Sequence, residues 1–122
     1  SWKALNVAKE NSFKYFWNNK KIEFIVSDLL NNIQKDLFKK KVILVANLPY
    51  IPDKVFKDNA ETSAKRYEPS LAFLWWKDGL DLYRKMFNQI VEINPKNIVM
   101  FLEMMDNQVD MLEKEYNIFN FE

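Results

Sequence analysis

Four consecutive residues, Asn47-Leu48-Pro49-Tyr50, combine side chains able to hold a planar amino group. The Asn47 carboxamide oxygen accepts a hydrogen bond from an NH2 group, and a backbone carbonyl beside it accepts a second. Pro49 has no N–H and fixes its own φ, which stiffens the turn and favours an extended Leu48. The Tyr50 ring can cover the face of a flat amide or base. The same four residues also suit an ordinary strand followed by a proline turn, because motifs this short recur without function. Asp28 is a second candidate. Its carboxylate could accept a hydrogen bond from a ligand's amino or hydroxyl group, or cap a short helix through Leu29, Leu30 and Ile33.

These residues need elements to position them. The run VILVAN at 42–47 reads as a strand buried on both faces, as in a parallel sheet. Ligands of open parallel sheets sit beyond the carboxyl ends of the strands, which is where Asn47 to Tyr50 would be. IEFIVS at 22–27 reads as a strand with Asp28 at its carboxyl end, and NIVMFL at 97–102 as another, ending at Glu103. Residues 118–121 start a fourth. Residues 2–16 read as an amphipathic helix with Leu5, Ala8, Ser12, Tyr15 and Phe16 on one face. Residues 33–39 form a weak helical turn. Asp78 is placed to cap a helix that runs to about Ile93, with Leu80, Tyr83, Met86 or Phe87, and Ile90 to one side. A last helix spans 106–116, with Val109 and Leu112 inward. Residues 51–76 carry no clean period, and an unassigned stretch of that length is usually functional or mobile. The alternation of strands and helices predicts an α/β fold with a mainly parallel sheet flanked by helices.

Composition narrows the chemistry. At 122 residues, 48% apolar and 16% aromatic, the chain has enough material for one small core. A net charge of +1 gives no strong electrostatic case for nucleic acid or an anionic membrane. Lys20–Lys21 and Lys39–Lys41 each precede a predicted strand and read as solvated loop ends. With no cysteine, disulfides and thiolate metal sites are excluded; with no histidine, so is imidazole catalysis. No apolar run approaches the ~20 residues of a membrane span, and without a signal peptide a cytoplasmic protein is the expectation.

At Asn47-Leu48-Pro49-Tyr50-Ile51-Pro52 the chain resembles the HemK/PrmC protein-(glutamine-N(5)) methyltransferases, whose strand-end motif is Asn-Pro-Pro-Tyr followed by Ile-Pro. Leu48 departs from the commonest form, and Asn-Leu-Pro-Tyr also occurs in adenine-N(6) methyltransferases of ribosomal RNA. Tyr67-Glu68-Pro69-Ser70-Leu71-Ala72 is similar to the family's Tyr-Glu-Pro-x-x-Ala segment. Asp78-Gly79-Leu80-Asp81-Leu82-Tyr83-Arg84 is similar to its Asp-Gly-Leu-x-x-Tyr-Arg helix start. Lys3-Ala4-Leu5 with Val7, Ala8 and Asn11, Ser27-Asp28-Leu29-Leu30, and Leu102-Glu103 with Gln108 extend the match in order across nearly the whole chain.

The resemblance implies a partial class I S-adenosylmethionine-dependent (Rossmann-like) fold, with residues 1–122 as one partial catalytic domain. The first two strands and the glycine-rich donor-binding segment are expected to lie outside this sequence. Exposed apolar strand edges are then expected, or the 22–27 strand moved beside 42–47. The implied reaction is methyl transfer from S-adenosyl-L-methionine to a glutamine side-chain amide of a peptide chain release factor. Nucleic acid would be met only indirectly, through the translation machinery. Asn47, Leu48, Pro49 and Tyr50 would form the catalytic turn, and Asp28 and Asn47 would contact the donor. Glu68 and Asp78 are expected to organise loops rather than react. Two other readings stay open: an adenine or cytosine amino group in RNA or DNA as acceptor, and an inactive remnant acting as an interaction module. By itself this 122-residue chain is expected to be inactive.

One compositional oddity remains. Gly79 is the only glycine, where average usage of ~7% predicts roughly eight. The family has Gly-Gly where this chain has Trp75-Trp76, and Trp2 and Trp17 also stand where small residues are natural. Either the tryptophans are native, or some are glycines encoded by UGA and read in the wrong genetic code; UGG codons at all four positions would exclude the second.

Overall fold

The computed structural model describes residues 1–16, 22–52 and 77–121. The chain opens with α1 (Trp2–Phe16). A turn at 28–33 leads through a short 3-10 turn (Lys35–Lys39) into β1 (Lys41–Ala46). After 53–76 come α2 (Asp81–Ile93), β2 (Asn97–Leu102) and α3 (Asp106–Glu115).

β1 and β2 pair in parallel, with Lys41 opposite Asn97 and Ala46 opposite Leu102. A return between parallel strands needs a crossover, and α2 lies between them in the chain and supplies its helix. The period expected of α2 is realised in full: Leu80, Tyr83, Met86, Phe87 and Ile90 are all buried, as is Leu112 of α3. They pack beneath Val42, Leu44, Ala46, Ile98, Met100 and Leu102, with Leu30 and Phe38 closing the side. α2 ends when Asn94 turns left-handed at φ 50°, its N–H donating to the Ile90 carbonyl at 2.9 Å, and Pro95 follows.

Several expectations are corrected. β1 ends at Ala46, so Asn47 is the first residue beyond the strand. Neither strand is buried on both faces: Ile43 and Val45 are 65% and 74% exposed, and Phe101 is 59% exposed. Both helices that pack on the pair do so from one side, and among the described residues nothing covers the other. Residues 22–27 form no strand, because no neighbouring strand among the described residues takes up their backbone groups. They have not moved beside β1 either; its partner is β2. Residues 118–121 are likewise not a strand. A turn places Phe119 and Phe121 on the Phe87 ring, with centroids 5.2 and 6.0 Å away, and Tyr116 joins them at 4.8 Å. Aromatic packing thus takes the place of strand pairing. In α1, Leu5, Ala8 and Ser12 are half-buried as the pattern implies, whereas Tyr15 and Phe16 are exposed, and the helix buries no residue fully.

Candidate active site

The register sets the site's geometry. Ala46 and Leu102 are the last paired residues, and the Glu103 N–H still donates to the Ala46 carbonyl at 3.3 Å. Asn47 and Glu103 therefore leave the carboxyl edge of the sheet side by side. Asn47 is exposed there, while Leu48, Pro49 and Tyr50 are half-buried.

Three side chains from the later elements hold this turn. The Tyr83 hydroxyl, carried on α2, donates to the main-chain carbonyl of Glu103, with the Leu48 carbonyl 3.4 Å away. Burial pushes the Tyr83 phenol up to about 12, so it stays a donor across the physiological range. The Tyr50 hydroxyl donates to Glu103 Oε1 at 2.8 Å, and that carboxylate raises the Tyr50 phenol above its ordinary value. Gln108 of α3 is 1% exposed. Its Nε2 donates to the carbonyls of Tyr50, at 2.7 Å, and Asp78, at 2.6 Å; its Oε1 accepts from the Met105 N–H at 2.9 Å.

The Asp78–Leu80 turn is fixed from the other side. Asp78 Oδ1 accepts the Leu80 N–H at 3.1 Å, two residues on, as an Asx turn does. Arg84 then makes two forked pairs, one to Asp78 at 3.1 and 2.8 Å and one to Glu115 at 2.7 and 2.8 Å. These bonds hold both carboxyls below their usual range and raise Arg84 still further. Asp78 organises the turn, as expected, although the helix cap is Leu80.

Asp28 is placed differently. Its carboxylate caps no helix, because residues 28–33 form turns rather than a helix, and the Asn32 N–H donates to Ser27 Oγ at 3.0 Å. Asp28 Oδ2 instead pairs with Lys85 Nζ at 2.5 Å, with the carboxylate 59% exposed. A carboxylate offers about four acceptor sites, so this pair leaves room for a ligand's amino or hydroxyl group.

The structure thus brings Asn47, Leu48, Pro49 and Tyr50 together at one sheet edge, and sets Asp28 against α2. Glu68, the Tyr67-Glu68-Pro69 segment, Trp17 and Trp75-Trp76 lie outside the described residues. Trp2 is 70% exposed at the start of α1. In the sequence Glu103, Gln108 and Tyr83 stand out only as family matches, as a strand end (Glu103) and as a packing residue (Tyr83), with no sign of the hydrogen bonds they make. The available signal for Gln108 was its place three residues into a helix, where Gln or Glu reaches back to the cap N–H; Met105 at the cap hides the pattern. Among the described residues, no group of carboxylates could hold a metal ion, and no helix is long and apolar enough to cross a membrane.

The chain is similar to a release factor glutamine methyltransferase of Thermodesulfovibrio yellowstonii, at 32% identity over 114 residues, covering 93% of this chain and 38% of the relative. A release factor glutamine methyltransferase of Lactococcus lactis subsp. lactis is 36% identical over 104 residues, 84% of this chain and 35% of its own. A Schizosaccharomyces pombe protein named as a probable MRF1 mitochondrial N(5)-glutamine methyltransferase is 32% identical over 101 residues, 80% of this chain and 33% of its own. The chain spans little more than a third of the length of these curated relatives. No protein-family model matches it, and no solved structure does.

Proposed function

We propose that this chain, a distant homologue of the release factor glutamine methyltransferases, carries the acceptor side of an S-adenosylmethionine-dependent glutamine methyltransferase. Because it spans only about a third of its relatives' length, the activity is proposed for the complete protein. One observation carries the reading: Asn47 stands exposed just past the carboxyl end of a parallel strand, on a turn pinned by Tyr83, Glu103 and Gln108.

An amide nitrogen is a poor nucleophile because its lone pair is delocalised. When bound, S-adenosylmethionine supplies an electrophilic methyl group. The Asn47 side-chain oxygen accepts one N–H of the acceptor amide, and the Leu48 carbonyl accepts the other, on the lone pair that Tyr83 leaves open. Both acceptors would aim the nitrogen and stabilise the positive charge that grows on it as the C–N bond forms at the expense of the donor's S–CH3 bond, leaving a neutral thioether, with one N–H proton then lost to water. The Tyr50 ring, anchored through its hydroxyl to Glu103, covers one face of the amide. Asp28 is the candidate for the donor's amino or hydroxyl groups, and Lys85 holds its carboxylate in place.

The test is transfer of labelled methyl by the full-length protein to three acceptors. These are a release-factor peptide with its glutamine, the same peptide with that glutamine changed to alanine, and an RNA oligonucleotide. Label on the first alone is expected. Label on the RNA alone would replace this reading with an adenine or cytosine acceptor, and label on none would remove the enzymatic reading.

A further inference from the structure

We propose that Gln108 is a positioning residue for methyl transfer, the single side chain that ties the Asn47–Tyr50 turn to the Asp78–Gly79 turn and the start of α3. The inference rests on the glutamine-methyltransferase reading and adds a residue that never meets the acceptor.

Gln108 is, apart from the Tyr83 hydroxyl, the one buried polar side chain among the described residues, at 1% exposure. A buried carboxamide is costly unless all its hydrogen-bonding groups are used. Here both Nε2 hydrogens are taken, by the Tyr50 and Asp78 carbonyls, and Oε1 takes the Met105 N–H. The Gln108 N–H itself goes to the Met105 carbonyl at 2.9 Å. The Tyr50 carbonyl is three residues beyond Asn47, on the chain that leaves the site. Fixing it fixes where the Asn47 oxygen and the Leu48 carbonyl point. Position matters steeply, since misplacing reacting groups by ~1 Å can cost on the order of a hundredfold in rate.

The geometry separates two roles within the one side chain. The oxygen caps α3; the nitrogen clamps the turn. Gln108→Glu keeps the first, because Glu is equally suited to reach back to the cap N–H. It loses the second, because an ionised carboxylate cannot donate to two carbonyls and is repelled by them. In so buried a place the new carboxyl's pKa rises, toward the ~8–9 documented for buried Glu. Once protonated it recovers one donated bond.

The experiment uses the full-length protein, with the glutamine peptide as acceptor, comparing wild type, Gln108→Glu, Gln108→Met and the exposed-face control Glu113→Gln. The expected result is a fall in kcat of tenfold or more in both Gln108 variants, with the dissociation constant for S-adenosylmethionine changed less than twofold. In Gln108→Glu alone, part of the lost kcat returns as pH is lowered from about 9 to about 6, which a purely structural role would not produce. Gln108→Met keeps length and volume without donors, and carries the comparison if Gln108→Glu does not fold. A folded variant with kcat within twofold of wild type overturns the inference and leaves the glutamine-methyltransferase reading intact. Wild-type protein that labels no peptide overturns both.

Discussion

Gly79 and Tyr50 meet backbone against backbone. Gly79 sits at φ 75°, and a Cβ built there would collide with the Tyr50 carbonyl oxygen, lying 2.8 Å from the carbonyl carbon and 2.9 Å from Gln108 Nε2. The only glycine in 122 residues is therefore at a position where both conformation and space exclude any other residue. Gly79→Ala is expected to destabilise the protein by about 3 kcal/mol or more, combining left-handed strain with displacement of the Tyr50 carbonyl. Urea unfolding midpoints of the two proteins check this. A loss below ~1 kcal/mol would mean that the two turns are not in contact.

Arg84 makes the fold sensitive to acid. The Asp78 and Glu115 carboxyls titrate below their ordinary range because each accepts from the guanidinium. A carboxylate with a lowered folded pKa stabilises fully above its unfolded value and loses that contribution as pH falls through the folded one. The stabilisation is thus complete above about pH 5 and drains away below about 4. The side chains are 28% and 37% exposed, so solvent screening keeps the sum to about 1–2 kcal/mol. Arg84→Met is expected to lose that amount at neutral pH and to show a flatter fall of stability between about pH 5 and 3. An unchanged slope would exclude the pairs as its cause.

Tyr83 works in the opposite direction. Its phenol is raised to about 12 chiefly by burial, so its contribution is whole below the ordinary tyrosine value of ~10 and is lost only as pH climbs through the folded value. Tyr83→Phe keeps the ring in the core but withdraws the hydroxyl from the Glu103 carbonyl. A cost of about 1–2 kcal/mol is expected from the orphaned acceptor. The highest-pH step of the tyrosine ultraviolet titration should vanish with it; if that step survives, another tyrosine is the buried one.

The open face of the β1–β2 pair carries Ile43, Val45, Val99 and Phe101, which are 43–74% exposed. Adjacent exposed apolar side chains on a two-stranded sheet favour association. The isolated 122-residue chain is expected to gain scattered light intensity with concentration, and Val45→Lys with Phe101→Lys to suppress the gain. Equal scattering by both would show that this face does not drive association.

How much could be read in the sequence depends on how local each cause is. The face of α2 was legible because five apolar side chains at helical spacing have only one way to be buried together, and β1 and β2 because each is a short apolar run rich in β-branched residues. The residues 22–27 look the same in sequence, yet a strand exists only with a neighbour, and no local pattern encodes the neighbour. Residues 118–121 failed for a related reason: Phe119 and Phe121 satisfy themselves on Phe87, a contact more than thirty residues away in sequence. Within the site, Asn47 to Tyr50 could be named from chemistry alone. Gln108 could not, because a glutamine in a helix is ordinary until three backbone groups from separate segments converge on it.

Asn47 decides between a site and a mere turn. If the turn only joins β1 to the next segment of chain, its exposed side chain is dispensable, and Asn47→Ala changes stability by no more than ~0.5 kcal/mol with no other effect. If the carboxamide oxygen holds the acceptor NH2, the substitution removes a dipole aimed at charge that develops only in the transition state. Losing one such group costs about 10²–10³ in kcat. The glutamine-methyltransferase reading therefore predicts that Asn47→Ala in the full-length protein lowers kcat by at least a hundredfold, with unfolding midpoint and S-adenosylmethionine affinity close to wild type. Asp28→Asn should show the reverse, a weakened donor with a kcat that recovers at saturating donor. Donor binding lost in Asn47→Ala would assign that residue to the donor rather than the acceptor. A full kcat would return Asn47-Leu48-Pro49-Tyr50 to an ordinary proline turn.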